Sequence, residues 1–316
     1  MIARKSRSFS QIIGFWGTVA INVFAVWAFV RGGLTWKLGA IALVSFWVRM
    51  FGITGGYHRY FAHKAYRTSR AFQLVLAFLG TTATQKGPLW WAGTHRHHHR
   101  FSDQENDVHS PMRRGFWYSH MGWWLGREHE DYDPKVIQDF YAYPELRWLD
   151  RFHIVGPLAL MGACFAIGGL DGLLWGYVVP TCALAHAVFT INSLSHVWGS
   201  RRFATTDTSR NNPWLALLTL GEGWHNNHHH YQASAHQGFY WWEVDISFYI
   251  LKAFEKVGLI WDVRTVPEHV LTRNLLAQVG ERSPLLLAKA GHQNVAPTND
   301  EDAPTGLAEP ALMDAE

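Results

Sequence analysis

Residues Ile12 to Val30 read IIGFWGTVAINVFAVWAFV, nineteen positions whose most polar members are Thr18 and Asn22. At about 1.5 Å per residue such a run spans roughly 30 Å as a helix, the thickness of a bilayer's hydrocarbon core. Arg4, Lys5 and Arg7 precede it, as in a secretory signal, but it is too long for an h-region and lacks a small-residue cleavage site. It therefore reads as an uncleaved first span. Working outward, three more apolar stretches follow at about 34–54, 154–171 and 173–192. Lys37 and Arg49 lie near the ends of the second, where long side chains can snorkel. The last two are joined by Gly168-Gly169-Leu170-Asp171-Gly172, a tight turn with no basic residue.

Lys and Arg concentrate in the N-terminus, in 55–151 and after Ile191. The positive-inside rule then puts both termini and those segments in the cytoplasm and leaves two short external turns. The expected fold class is all-α and integral to the membrane, with four transmembrane helices under a helical cytosolic cap. That gives one membrane domain over 1–280, its cap formed by 55–151 and 193–280. Ala71 to Thr84 is apolar but too short to cross, and reads as an interfacial or re-entrant helix. From about 281 to 316 the chain is rich in Ala, Pro, Asn and Asp, the composition of a disordered tail.

Only 17% of the 316 residues are charged, while 48% are hydrophobic; 19 are His, 17 Trp and 2 Cys. A net charge of +3 without a basic, aromatic-interleaved reader motif argues against nucleic acid. Cys164 and Cys182 both sit in apolar stretches and offer neither a disulfide framework nor a thiolate zinc site. Any metal chemistry must rest on histidine. No phosphate loop, GxSxG elbow or carboxylate-rich metal loop is present.

Histidine is clustered: His58-Arg-Tyr-Phe-Ala-His63, His95-Arg-His-His-His99, His225-Asn-Asn-His-His-His230, and the pair Asn192 and His196 where the last apolar stretch ends. A purification tag would be contiguous and terminal, and these are neither. At about 100° per residue, His95, His98 and His99 share an arc of about 100° while His97 points away. The same spacing groups His225, His228 and His229 and leaves His230 off the arc. Asn192 and His196 are i and i+4, hence neighbours. His58 and His63, at i and i+5, stand about 140° apart on an α-helix and need a helix end or two different metals. Nine imidazoles exceed one ion's capacity, so four or five ligands on each of two ions fit the count. Iron, copper, zinc and nickel all suit neutral imidazole. His186, inside an apolar stretch, is explained equally by an interhelical hydrogen bond and by function.

These clusters resemble the three histidine boxes of the membrane fatty acyl desaturases, HX4H, HXXHH and HXXHH, and Asn192-Ser-Leu-Ser-His196 resembles that family's additional ligand motif. Gly55-Gly56-Tyr57-His58-Arg59, Trp91, the run Arg113 to Trp123, and Gly221-Glu222-Gly223-Trp224-His225-Asn226 bring the chain nearest to the stearoyl-CoA Δ9 group and its bacterial relatives. The resemblance runs from about residue 12 to 250. It implies a non-haem di-iron centre, with two iron ions on His58, His63, His95, His98, His99, His196, His225, His228 and His229, and with Asn192 acting through a water. It further implies a bacterial inner-membrane enzyme that uses O2 to place a cis double bond, at Δ9, in a saturated acyl chain on CoA or lipid. Gly93-Thr94 stands where acyl-CoA members carry an Arg-Asp pair, which leaves the carrier open. With no fused cytochrome b5 domain, a separate donor of ferredoxin, rubredoxin or cytochrome b5 type is expected, served by a reductase. Trp90 and Trp91 are expected to wall an acyl tunnel, Arg113 and Arg114 to meet an anionic carrier or head group, and Asp103, Asp107 and Glu222 to orient the imidazoles. Two alternatives carry similar histidines: a membrane hydroxylase or ketolase, and a metal-binding or transport protein, although transport favours ligands at mid-bilayer.

Overall fold

The computed structural model describes residues 9–126 and 131–276. Arg4, Lys5, Arg7, Arg127 and the expected tail at 281–316 lie outside the described residues. Helix α1 (Phe9–Arg31) leads through a short turn to α2 (Trp36–Phe51), whose first turn is capped by Leu38 N donating to Thr35 Oγ1 at 3.3 Å. The second helix does not end near residue 54. It continues as a wider π-helical stretch, Gly52–Ala62, every residue of which is buried. Glycine makes room for it: a Cβ on Gly52 would lie 3.0 Å from the Leu79 backbone, and one on Gly56 would lie 3.3 Å from the Leu76 carbonyl. Helix α3 (Arg70–Thr82), the expected interfacial segment, packs there nearly backbone to backbone. Helix α4 (Pro88–Phe101) follows, with Leu89 N and Trp90 N both donating to Asp150 Oδ1 at 2.9 Å to cap its start.

The later apolar stretches form α5 (Val155–Leu173), a π-helical turn at Leu174–Val178 and α6 (Val179–Val197). Helical geometry breaks at Gly168 (φ −144°, ψ 20°) and Gly169 (φ 57°, ψ −139°), the latter in the left-handed region that glycine tolerates. The chain folds back there. A Cβ on Gly176 would sit 2.9 Å from Cys164 Sγ, whereas twelve residues of straight helix would separate the two by about 18 Å. Arg31, closing α1, pairs with Asp171, just past the reversal, so both short turns lie at one end of the molecule. The last helix runs to Val197, past the expected end at 192, and so carries both Asn192 and His196.

Among the described residues, three helical stretches are long and apolar enough to cross a membrane: Gly14–Arg31, Trp36–Ala62 and Val155–Val197. The first turns Val23, Val26, Phe29 and Val30 outward, the last of these 81% exposed, a lipid-facing pattern. The expectation of a purely helical chain needs one amendment, a two-stranded antiparallel sheet pairing Arg67–Thr68 with Ile260–Trp261. The main core gathers Met50, Tyr57, Phe61, Leu76, Leu146 and Leu251 around the π-helical stretch. That stretch is the floor on which the histidines stand.

Candidate metal centre

Winding resolves the difficulty with the first box. In the π-helical stretch backbone bonds run from i to i−5, and His63 N donates to His58 O at 3.1 Å. One wide turn therefore brings the two imidazoles to the same side, with ring centroids 4.7 Å apart. The 140° separation assumed α-helical winding, which this segment lacks.

Helix α4 supplies the second box, and α7 (His225–His230) the third. The second and third boxes do not each serve a single position, as a shared arc suggests, whereas the first box does. His95 and His99, one turn apart, join His58, His63 and His228, while His98 joins His196, His225 and His229; within each group the ligating atoms all lie within 4.8 Å of one another. Both helices thus contribute to both groups. In the first, Nε2 atoms are 3.0 Å apart for His58 and His228, 3.1 Å for His63 and His95, 2.9 Å for His95 and His99, and 3.0 Å for His99 and His228. Two imidazole nitrogens at about 2.1 Å from one ion and at right angles would be about 3.0 Å apart. In the second group His196 and His225 Nε2 are 3.1 Å apart, and the Nε2 atoms of His98 and His229 are buried without a hydrogen-bond partner. Buried orphan nitrogens aimed at a common point, in a neutral nitrogen donor set, fit a transition metal. His98 also forms a third grouping with Asp107 and His109 that overlaps the second.

Burial, and then the neighbouring imidazoles, holds His63, His95, His99, His225 and His228 well below the usual histidine range. They are neutral near pH 7, as ligation requires. Opposite each ligating face, four Nδ1 atoms donate to carboxylates: His58 to Glu222 at 2.5 Å, His98 to Asp107 at 2.8 Å, His196 to Asp103 at 3.0 Å and His229 to Asp207 at 2.5 Å. Burial alone would raise these carboxyls, but the facing histidines hold Asp103, Asp107, Asp207 and Glu222 below the ordinary carboxylate value. Such pairs fix imidazole tautomer and orientation. Asp207 escapes a reading of the sequence because it adjoins none of the boxes; Asp103, Asp107 and Glu222 each lie close to one, although Asp103 and Glu222 hold histidines of other segments.

His97 and His230 turn away, bonding Asn106 O and Val270 O at 3.0 Å each. His186 Nε2 donates to Asn22 Oδ1 at 2.9 Å, tying α6 to α1. Asn192 belongs to neither histidine group; its carbonyl accepts from Ser119 Oγ at 2.7 Å, and it lines a narrow cleft with Trp90, Trp91, His95, Trp123 and Phe189. Trp91 stacks on His95 with centroids 4.9 Å apart, and Trp90 lies parallel to Trp123. Arg113 and Arg114 are exposed and do not line this cleft; they bond the Asp103 carbonyl and the Tyr118 hydroxyl. A larger apolar cavity of about 550 Å³, lined by Trp47, Phe51, Phe72, Leu76 and Leu220 among others, contains no histidine.

Residues 34–260 match the family model described as fatty acid desaturase. A palmitoyl-monogalactosyldiacylglycerol delta-7 desaturase from Arabidopsis thaliana is 38% identical over 237 residues, 74% of this chain and 64% of that protein. Delta-9 acyl-lipid desaturase 2 of the same plant is 40% identical, covering 74% of this chain and 77% of its own length. An sn-1 stearoyl-lipid 9-desaturase from Anabaena variabilis is 34% identical, covering 78% and 91%.

Proposed function

The chain belongs to the fatty acid desaturase family and is a fatty acyl desaturase, an oxidoreductase; on that premise we propose that it forms a cis Δ9 double bond in a saturated acyl chain carried on a lipid or on CoA. The convergence of nine imidazoles into groups of five and four carries this reading. His58, His63, His95, His99 and His228 would hold one iron, and His98, His196, His225 and His229 the other. When bound, the metal pair supplies the power to oxidise unactivated C–H bonds with O2. The net reaction is CH2–CH2 plus O2, two electrons and two protons, giving CH=CH and two waters.

The protein's own share is placement. Asp103, Asp107, Asp207 and Glu222 hold four imidazoles by Nδ1. Trp90, Trp91 and Trp123 confine the chain and exclude water where it passes His95. Asn192, one turn before His196, holds a water beside the centre. An acyl-lipid carrier is favoured by the names of two relatives and by Gly93-Thr94 in place of an Arg-Asp pair. Arg113 and Arg114, both exposed, would meet an anionic head group.

The reversal at Gly168–Gly169 supports four crossings, with the histidines at the end opposite the Arg31–Asp171 pair. The distribution of Lys and Arg supports a cytoplasmic site, and the resemblance to bacterial relatives implies an inner membrane. Electrons come from a separate ferredoxin, rubredoxin or cytochrome b5 type donor. Expression in a host lacking acyl desaturation, followed by gas chromatography of the fatty esters, is expected to reveal a new Δ9 monounsaturated acid. A hydroxylated product, or an unchanged profile with iron bound and a working donor, contradicts the proposal.

A further inference from the structure

The two histidine groups differ in the charge behind them. Three carboxylates stand on ligands of the four-histidine group: Asp107 on His98, Asp103 on His196 and Asp207 on His229. Their other contacts come from neutral donors: Ser110 Oγ, Thr208 N and Thr208 Oγ1 on Asp103, the Asp103 and His109 amides on Asp107, and Ser209 with Thr205 on Asp207. Among the described residues no hydrogen bond or ion pair joins Lys or Arg to these carboxylate oxygens. Arg113 and Arg201 donate instead to the main-chain carbonyls of Asp103 and Asp207.

The five-histidine group has one carboxylate on a ligand, Glu222 on His58, and Arg59 pairs with it at 3.1 Å while also meeting Asp245 at 2.9 Å. The Nδ1 atoms of His99 and His228 are buried without a partner. Among the described residues, three carboxylates whose oxygens meet no Lys or Arg thus face one position, and one carboxylate with a paired guanidinium faces the other. Enclosure differs little: His98, His196 and His225 are buried, as are His58 and His228, whereas His229 is half-buried like His63, His95 and His99. A fifth imidazole adds donor strength but no charge, while a larger number of carboxylates behind the ligands of a buried site favours the more highly charged ion.

We infer that the four-histidine position is built for the ferric state: its iron is the first of the pair to give up an electron, Fe2+ becoming Fe3+. With one electron removed, the five-histidine position keeps Fe2+. This deepens the di-iron reading and rests on it.

The test is a mediated electrochemical oxidation of the 57Fe-loaded full chain in lipid nanodiscs, read by Mössbauer spectroscopy, with the electrode taking each electron. Two one-electron steps are expected. Asp207→Asn should disfavour Fe3+ about tenfold in the first step, a rise of about 59 mV for a one-electron couple, and leave the second in place. Glu222→Gln should move the second step alone. Should Asp207→Asn fail to fold, Asp107→Asn reads the same step. A single two-electron step, or Glu222→Gln moving the first step, overturns the inference. Iron analysis beforehand separates the levels: fewer than two irons per chain overturns the di-iron reading itself, whereas two irons with inverted steps overturn this inference alone.

Discussion

His97 and His98 are neighbours in the chain with opposite surroundings. His98 is fully buried, with Nδ1 on Asp107 and Nε2 aimed at three other imidazoles; His97 reaches outward to the Asn106 carbonyl. Removing His98 deletes a ligand and strands a buried carboxylate. His98→Ala is expected to cut bound iron from two per chain to about one and lower activity at least about 100-fold, as ligand and supporting losses do. His97→Ala should keep both within about twofold. Equal losses in iron analysis would show that α4 is misassigned. At this scale the sequence is informative because helical spacing sorts His97 and His230 from their neighbours. It falls short where folding pairs distant residues, as with Asp207 and His229.

Among elements, the π-helical stretch and the α5–α6 reversal matter most. A constant 100° per residue fails at His58 and His63, since a glycine-lined segment pressed against α3 winds more widely. The three ligands of α4 do share one arc, but that arc spans two positions, a division invisible without the partners on α6 and α7. The reversal is more legible, since Gly168-Gly169 beside Asp171 interrupts an apolar run too long for one crossing. On a background with Cys164 and Cys182 replaced by Ala, Leu34→Cys in the first turn is expected to react with a membrane-impermeant maleimide in intact cells. Thr206→Cys, exposed beyond α6, should react only after lysis. The converse pattern would place the histidines outside.

For the whole molecule, low charge and high histidine have one physical origin: apolar helices carry a nitrogen-rich site at one end. A mean hydropathy of −0.09 conceals this because polar loops dilute the apolar stretches. Convergence of four sequence-distant segments needs the complete fold, with the buried Gly52–Ala62 floor holding the first box beneath α4 and α7. The proposed centre has two metal positions made by nine histidines. Iron analysis of the purified full chain, loaded anaerobically with Fe2+ and freed of loosely bound metal, tests that directly. Two irons per chain are predicted; one iron or none would contradict it.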